Sequence, residues 1–304
     1  MGRRVKLIFN HQADNGRGWR IASSLQASIE QMGGAEWTGT DYPTHATELA
    51  EQAAREGFDV VVAVGGDGTV HEIVNGLMQV PADQRPMLAA VPIGSGNDFC
   101  ANAGLESDPT QAILRAFSGK AKAVDIGMVR DGSGRVEYWD NALGIGLEAA
   151  TVINSHSLSR LQGMAMYFAA AIMTIVKDHE APRFHITTDG EEIEGEFLMV
   201  SLCNGPREGG GFMMAPEAVL DDGELDYIMV DWVSRPYLLR LMPELMRGTH
   251  LRFKQVHPGR FRKLELTADR PLLIHTDGEI FANSTTNVRE LTVQVLPEAV
   301  QLIA

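Results

Sequence analysis

Residues 60–69 read VVVAVGGDGT, and this stretch decides the fold of the first part of the chain. The apolar, mostly β-branched run at 60–64 predicts a buried strand, and the spacing of apolar residues over 70–78 predicts a helix. The glycines between them allow positive φ and close approach of an anion to the N–H groups of the helix N-terminus. Because the P-loop lysine is missing, the stretch predicts a phosphate loop of another type. An empty strand-to-helix turn is the alternative.

Strand and helix patterns continue on both sides of this loop. Residues 5–10 and 87–93 read as further buried strands, and residues 46–53 carry apolar side chains at the i, i+3, i+4, i+7 spacing of an amphipathic helix. Strands that alternate with helices predict a parallel sheet with both faces covered, and ligands of such sheets bind at the carboxyl ends of the strands. A second glycine-rich turn, GSGND at 94–98, also follows a strand. The two turns are therefore expected to line one crevice.

After about residue 125, strand patterns dominate the sequence. They cover residues 124–129, 136–143, 183–188, 197–202, 225–233, 261–267, 271–275 and 290–296, with helical patterns at 158–176 and 236–247. A run of strands after a run of strand–helix units predicts a second, mainly antiparallel domain, a β-sandwich. We expect an α/β domain over 1–124, a β-rich domain over 125–296, and a tail of about 297–304 that returns to the first domain. No Pro/Ser-rich linker separates the domains, which predicts close joining with a cleft between them.

Composition narrows the classes of function. The 304 residues include 26 Lys and Arg against 40 Asp and Glu, a net charge of −14, which argues against nucleic-acid binding. It also argues against strong adhesion to anionic membranes, unless a basic cluster acts locally. The candidate cluster is Arg240, Arg247, Arg252, Lys254, Arg260, Arg262 and Lys263, and scattered solvated charges are the alternative. The two cysteines lack CxxC spacing and predict reduced thiols in the cytoplasm. The most apolar helical pattern, 164–176, is too short for a membrane span, which takes about 20 residues.

Four motifs combine glycine-rich turns with polar and acidic residues. They are GGDGT at 65–69, PIGSGNDF at 92–99, NG at 204–205 followed by GGG at 209–211 and DDGELD at 221–226, and HTDGE at 275–279. In this order they closely resemble the diacylglycerol kinase catalytic family, in its bacterial soluble lipid kinase branch. The resemblance runs from Asn10 to Glu279. It implies a NAD-kinase-like α/β domain with a parallel sheet, a β-sandwich domain and an active site in the interdomain cleft.

The resemblance implies ATP and Mg²⁺ as cofactors, with the first glycine-rich turn at the ATP phosphates. A carboxylate in such a turn repels phosphate unless a cation lies between them, and Mg²⁺ binds carboxylates together with substrate phosphates. The family has this carboxylate at Asp67 and another, Asp98, in the polar network of the active site; Asn97 and Asp98 also fit a helix cap. The nucleotide-binding residues that the resemblance implies are Asn10, Thr40, Gly65, Gly66, Asp67, Gly68, Thr69 and Ser95.

Two stretches near these residues are given no nucleotide-binding role. Residues 11–18 depart from the family pattern, which has a proline and a Ser-Gly pair after the position of Asn10. The helix after the phosphate loop carries His71 and Glu72, which are expected to be solvated helix residues.

Two acidic positions suggest a metal ion. Asp125 is flanked by apolar residues on a predicted strand, and a buried carboxylate is costly unless it is paired or bound to a metal. The resemblance implies a structural Mg²⁺ held by the Asp222 carboxylate and the carbonyl groups of Val219 and Glu224, with Asp125 in a network that reaches toward a cation. An ordinary Asp-Asp-Gly turn is the alternative at Asp222.

Glu279 matches the glutamate of the family's Asp-Gly-Glu motif, which implies that it is the catalytic base. Phosphoryl transfer needs positioning, charge neutralisation and one group that orients or deprotonates the acceptor hydroxyl, and a carboxylate can do this. Asp277 is expected to shape the turn. An exposed hairpin tip is the alternative, because Asp-Gly pairs also occur at Asp131, Asp189 and Asp222.

These observations predict a lipid kinase of phospholipid biosynthesis, which transfers the γ-phosphate of ATP to the hydroxyl of diacylglycerol or a related lipid alcohol. Such an enzyme is expected to be cytoplasmic, with peripheral contact at the inner face of the membrane. The sequence does not decide whether it forms a homodimer. A NAD kinase-like phosphotransferase and a non-catalytic nucleotide-binding regulator are the alternatives. Core packing or an acyl-chain slot explains the apolar residues Leu161, Met164, Met166, Tyr167, Phe168, Ile172, Phe212, Met213 and Met214.

Overall fold

The computed structural model describes residues 2–10, 17–105, 107–158 and 163–304. The chain divides into two compact units. The first unit comprises Met1–Asp125 and Glu298–Ala304, and the second comprises Ile126–Pro297. Each unit has its own hydrophobic core. The structure confirms the predicted fold class, an α/β unit with a parallel sheet and a mainly antiparallel β-sandwich.

The first unit is built on a parallel sheet with strand order β4-β3-β1-β2. Its strands are β1 (Val5–Asn10), β2 (Glu36–Thr40), β3 (Val60–Gly65) and β4 (Met87–Pro92). Its helices are α1 (Arg17–Gln31), α2 (His45–Arg55), α3 (Asp67–Leu77), α4 (Asp98–Asn102) and α5 (Pro109–Ser118), with a short 3-10 helix at Ala82–Gln84. All six residues of β3 are buried, because a parallel sheet covered on both faces leaves neither side of a central strand exposed.

Helix α2 begins in a way that the sequence did not predict. Its N-cap residue, Thr44, has φ 70° and makes no side-chain cap. Glu72 of α3 accepts the N–H groups of Thr44 and Ala46 instead, each at 3.0 Å. His71 beside it is buried. The expectation that His71 and Glu72 are solvated is therefore wrong, since Glu72 satisfies the donors that a helix N-terminus leaves unpaired.

The second unit is an antiparallel sandwich of two sheets. Its strands are β5 (Ala121–Asp131, which begins in the first unit), β6 (Val136–Trp139), β7 (Ala142–Gly146), β8 (Arg183–Thr188), β9 (Glu191–Cys203), β10 (Leu225–Asp231), β11 (Val256–Phe261), β12 (Lys263–Ala268), β13 (Ile274–Thr276), β14 (Glu279–Ala282) and β15 (Glu290–Ile303). The long strand β9 pairs with β8 through residues 191–196 and with β10 through residues 197–203. It thus contributes to both sheets. Trp139, Phe184 and Phe261 are among the buried residues of the core.

The described part of the second unit also has three longer helices, α6 (Leu147–Ser155), α7 (Gly163–Lys177) and α8 (Arg235–Arg247), and a 3-10 helix at His250–Arg252. Helix α6 was not predicted. The predicted helix 158–176 includes residues 159–162, which lie outside the described residues. The predicted strand 136–143 is two strands, because the chain turns at residues 140–141. Among the described residues, no helix combines the length and apolarity that crossing a membrane requires.

The last strand, β15, runs from the second unit into the first. Residues 290–294 pair with β12, whereas Leu302 pairs in parallel with Leu88 of β4. The segment that follows Pro297 is held in the first unit at several points. Arg85 donates to the carbonyl group of Ala299 at 2.9 Å, and Ile303 is buried in the core of that unit. The first unit is therefore completed by the last residues of the sequence.

Candidate functional site

The first glycine-rich turn joins β3 directly to α3. Gly65 ends the strand and Gly66, with φ −99°, is the N-cap of the helix. A Cβ at Gly65 would lie 2.6 Å from the Cβ of Thr69 and would overlap its hydroxyl group. Contrary to expectation, Gly65, Gly66 and Gly68 do not adopt positive φ. Glycine is required here because the first turn of α3 lies against the end of the strand.

We expect Gly65→Ala to lower the free energy of unfolding by about 1–3 kcal/mol, because the added methyl group must displace Thr69 in a packed site. Urea unfolding measures the difference. Gly132→Ala is the matched control, since its Cβ would lie 3.4 Å from the nearest atom. We expect that control to change stability by less than about 0.5 kcal/mol. Equal losses in the two variants would contradict the contact as the cause.

The second glycine-rich turn lies directly against the first. A Cβ built on Gly94 would lie 2.5 Å from the Cα of Gly66. The N–H of Ile93 donates to the carbonyl group of Gly65 at 2.9 Å. The structure thus brings the two turns together, as the sequence predicted, and their backbones meet without intervening side chains.

Side chains near the turns hold this arrangement. The amide of Asn97 accepts from the N–H of Gly94 at 3.0 Å and donates to its carbonyl group at 2.7 Å. Asn97 has φ 52° and does not cap α4 with its side chain. The Asp67 carboxylate accepts the N–H of Phe99 at 3.2 Å. Asn97 therefore shapes the second turn, and Asp67 links the two.

The predicted nucleotide-binding residues lie along the carboxyl edge of the sheet. Asn10 pairs with Thr40 at the ends of β1 and β2, and Gly65 pairs with Pro92 at the ends of β3 and β4. Asn10 and Thr40 are partly exposed, and Ser95, just past β4, is exposed. Parallel strands present their carboxyl ends at one edge, where ligands of such sheets bind. Residues 11–16, which follow Asn10, lie outside the described residues.

Two predicted acidic residues are buried in the first unit. Asp98 is the first residue of α4. Asp125 is 1% exposed, and its carboxylate accepts the N–H of Glu298 at 2.8 Å. This bond supplies one partner for the buried charge and fastens the segment that returns from the second unit.

The predicted metal-binding turn in the second unit lies beside an arginine. The Asp222 carboxylate accepts the N–H of Glu224 at 3.1 Å. Arg260 lies 3.5 Å from an oxygen of Asp222, 3.9 Å from one of Glu224 and 3.5 Å from one of Asp226. Burial raises the pKa of Asp226 to about 6, although Arg260 offsets part of the rise. Three carboxylates thus surround one guanidinium group.

Three members of the basic cluster considered for membrane contact, Arg260, Arg262 and Lys263, lie in such ion pairs. Arg262 lies 3.4 Å from Glu224, and Lys263 lies 2.6 Å from Glu265. Together with the contacts of Arg260, these pairs give all three residues an acidic neighbour. The structure therefore does not support an uncompensated positive patch at these residues.

Glu279 is exposed at the start of β14, just after a two-residue turn. Asp277 and Gly278 form this turn with φ 51° and 88°, the positive values that a type I′ hairpin requires. The Asp277 carboxylate accepts three backbone N–H groups, from Asp140 at 3.0 Å, Asn141 at 2.9 Å and Ala142 at 3.0 Å. The turn before Glu279 is thus fastened to the start of β7. Asp222 and Glu279 lie at different turns of the second unit, and Asp125 belongs to the first.

The sequence contains the same tetrapeptide elsewhere. TDGE occurs at residues 188–191 and again at 276–279. Asp189 and Gly190 also form a two-residue hairpin turn, with φ 44° and 96°. Asp189 accepts the N–H groups of Arg262 at 2.8 Å and Lys263 at 3.3 Å, both exposed. Only the tertiary contacts distinguish the two turns.

Sequence reasoning missed a buried polar cluster behind the Asp277-Gly278 turn. Glu148 of α6, Glu208 and His275 of β13 are all buried, and one polar atom of each lies within 4.8 Å of the others. Burial raises the pKa of Glu148 to about 7 and lowers the pKa of His275. A signal was available, because Glu148 is a single charged residue within an apolar run and His275 directly follows another.

Comparisons with known proteins cover both units. Residues 4–129 match the family model described as diacylglycerol kinase catalytic domain, and residues 141–304 match the YegS C-terminal NAD kinase beta sandwich-like domain. A diacylglycerol kinase of Bacillus subtilis is 27% identical over 91% of this chain and 90% of its own. A "Probable lipid kinase YegS-like" of Chromohalobacter salexigens is 32% identical over 80% and 75%. The crystal structure of a diacylglycerol kinase from Bacillus anthracis aligns with a TM-score of 0.79 at 22% identity over 99% and 97%, which shows the shared fold.

Proposed function

Because this chain belongs to the diacylglycerol kinase catalytic family, in its lipid kinase branch, we propose that it transfers the γ-phosphate of ATP to the hydroxyl group of diacylglycerol or a related lipid alcohol. Membership of the family makes it a kinase. One observation carries the finer proposal: two glycine-rich turns meet backbone to backbone at the carboxyl edge of a parallel sheet, in front of the N-terminus of α3. An edge of this kind binds phosphate through backbone N–H groups.

The ATP phosphates would lie at the first glycine-rich turn. Gly66 and Gly68 leave the backbone accessible, and Asn10, Thr40 and Ser95 along the same edge would contact the rest of the nucleotide. Asp67, in the first turn of α3, has an oxygen donor that fits Mg²⁺. When bound there, Mg²⁺ would neutralise charge on the transferring phosphoryl group. Asp98, buried next to this turn, would belong to the same polar network.

A structural Mg²⁺ would be held at the turn that carries Asp222. The donors there are the Asp222 carboxylate and the carbonyl groups of Val219 and Glu224, all hard oxygen ligands that suit Mg²⁺. Arg260 and Arg262 contribute two positive charges against the three carboxylates of Asp222, Glu224 and Asp226, so the turn keeps a surplus of one negative charge. The donor set fits a divalent cation.

Glu279 would be the catalytic base. Its carboxylate is exposed, and the turn before it is fixed by the bonds of Asp277. In the proposed reaction it accepts the proton of the lipid hydroxyl as that oxygen attacks the γ-phosphorus, and ADP leaves. A base held in place by its backbone needs little reorganisation when the acceptor arrives.

The lipid would reach this site from a membrane contacted by α7. Met164, Phe168, Ile172 and Val176 follow one another at four-residue spacing and are between 38% and 64% exposed, which gives one apolar stripe on the helix. The same helix also reaches the turn before Glu279, because a Cβ at Gly278 would lie 3.7 Å from the hydroxyl group of Tyr167. The stripe, not the paired basic residues, is our candidate for membrane contact. Leu161, for which the sequence offered either core packing or an acyl-chain slot, lies outside the described residues.

We expect the double variant Phe168→Gln and Ile172→Gln to bind phosphatidylcholine vesicles that contain diacylglycerol about tenfold more weakly. A tenfold change corresponds to about 1.4 kcal/mol, less than the transfer energy of two apolar side chains. Vesicle sedimentation measures the binding. Arg262→Gln with Lys263→Gln is the comparison, and we expect unchanged binding because both residues are ion-paired. Loss of binding in that variant alone would contradict the assignment to α7.

The test of the proposed function is transfer of radiolabelled phosphate from ATP to a panel of acceptors. The panel includes diacylglycerol, monoacylglycerol, other long-chain alcohols and NAD⁺. A labelled lipid monoester supports the proposal. The NAD kinase beta sandwich-like description of residues 141–304 gives reason to include NAD⁺, and labelled NADP⁺ would support a NAD kinase-like enzyme. Binding of ATP with no labelled product would support a regulator without turnover.

A further inference from the structure

We propose that Glu148, Glu208 and His275 form a positioning cluster, in which one proton is shared between the two carboxyl groups and the imidazole holds the turn that carries Glu279. The inference rests on the proposed role of Glu279 and deepens it. All three residues belong to the second unit, from α6, from the loop before Phe212 and from β13. They are buried, and none belongs to the nucleotide or metal sites described above.

The hydrogen bonds of His275 fix its tautomer. The N–H of Gly278 donates to Nδ1 at 3.2 Å, so this nitrogen must be an acceptor. A neutral imidazole has one donor and one acceptor, and Nε2 therefore carries the proton. Nε2 lies 2.9 Å from Oε1 of Glu148 and donates to it. Burial lowers the pKa of His275, which agrees with a neutral ring.

The same tautomer favours a proton over a metal ion in this cluster. A metal ion on Nε2 would require that nitrogen to lose its proton and Nδ1 to carry one. Nδ1 would then direct its N–H toward the N–H of Gly278, and the turn would have to move. The polar atoms are close enough together to hold a cation, but the backbone bond selects the protonated arrangement.

The shared proton is held by the carboxyl groups of Glu148 and Glu208. Two buried carboxylates this close repel each other, so one of them is expected to keep a proton. Oε2 of Glu148 is buried and accepts no hydrogen bond from any residue that the structure describes, which costs more free energy for an ionised carboxylate than for a protonated one. Cys203 of β9 faces both carboxyl groups, and Asp277 of the turn faces His275. Each of them adds negative charge when it ionises, which favours the shared proton.

The cluster connects directly to Glu279. The Gly278 N–H that binds His275 immediately precedes Glu279 in the chain, while Asp277 fastens the other side of the same turn. A Cβ at Gly144 of β7 would overlap both Glu148 and His275, so the strand lies tightly against the cluster. A second negative charge in the cluster would therefore have little room to be solvated. We infer that it would loosen the bond to Gly278 and misplace Glu279.

The experiment is the pH dependence of kcat from pH 6 to 9 for the wild type, Glu148→Gln and Glu148→Leu. The wild type should lose activity as pH rises through about 7, the pKa of Glu148. Glu148→Gln keeps an acceptor for His275 without a charge, so its alkaline loss should disappear. Glu148→Leu removes the acceptor and should lower kcat by about 10- to 100-fold with KM for ATP unchanged. An unchanged alkaline limb in Glu148→Gln, or an undiminished kcat in Glu148→Leu, would overturn the proposal.

Two further measurements do not depend on activity. The pKa of Glu148 is higher in the folded protein than its ordinary 4.5, so stability is greatest below that value and falls as pH rises through about 7. Glu148→Gln should abolish this loss in urea unfolding at pH 5 and pH 8. If Glu279→Gln stays active while this result holds, the role of Glu279 fails and the shared proton stands. Calorimetric binding of Zn²⁺ or Mn²⁺ that is lost in Glu148→Gln would overturn the shared proton in favour of a metal.

Discussion

Glu279→Gln should lower kcat for phosphoryl transfer to the lipid by about 10²- to 10⁴-fold, the range for loss of a positioned general base. The amide is nearly the same size and can still accept a hydrogen bond, but it cannot take up the proton of the acceptor hydroxyl. Since Glu279 is exposed on the second unit, we expect binding of ATP at the glycine-rich turns of the first unit to stay unchanged. The measurement is steady-state transfer of radiolabelled phosphate, with ATP affinity determined separately.

The chain supplies a matched control for this variant. Glu191 ends the other TDGE tetrapeptide and also follows an Asp-Gly hairpin turn. Glu191→Gln makes the same chemical change in the same local structure, and we expect full activity. Equal losses from the two variants would remove Glu279 as the base, and full activity in both would do so as well.

Asp277→Ala should lower the free energy of unfolding by about 3–5 kcal/mol. Its carboxylate accepts three N–H groups of residues 140–142, and a buried donor left without an acceptor costs about 1–3 kcal/mol. Alanine is also less favourable than aspartate at φ 51°. Urea unfolding measures the loss, and hydrogen exchange should show reduced protection of the amides of 140–142.

Asp189→Ala separates these two causes. Asp189 has φ 44° and bonds two exposed N–H groups, so this variant carries the backbone penalty with little desolvation. We expect it to lose about 1–2 kcal/mol and to leave exchange at 140–142 unchanged. A loss in Asp189→Ala as large as that in Asp277→Ala would assign the effect to backbone conformation and not to the buried bonds.

The sequence predicted features that short stretches of chain encode. The residues of β3 before Gly65 are all apolar because both faces of the sheet are covered, and the glycines that follow predict the turn into α3. Strand β2 was not predicted, because Glu36–Thr40 is an edge strand with few apolar residues. Helix α6 was not predicted, because Gly146 is the only turn residue between it and the preceding strand.

In the candidate site, contacts between residues far apart along the chain could not be predicted from the sequence. The contact between Gly66 and Gly94 could be expected, because adjacent parallel strands end at the same edge. The bond between Glu148 and His275 joins residues 127 positions apart, and no local pattern pairs them. Likewise, TDGE occurs twice with the same turn geometry, and the difference lies in what each aspartate bonds.

The division of the first unit between the two ends of the sequence bears on synthesis. Residues 298–304 contribute Ile303 to its core and accept or donate bonds with Asp125 and Arg85, yet they are translated only after the whole of Ile126–Pro297. At about 5–20 residues per second, the ribosome takes roughly 10–30 s to cover that interval. During this time the parallel sheet lacks its last strand segment, and the edge at Leu88 stays open. The first unit emerges from the ribosome first but is completed last.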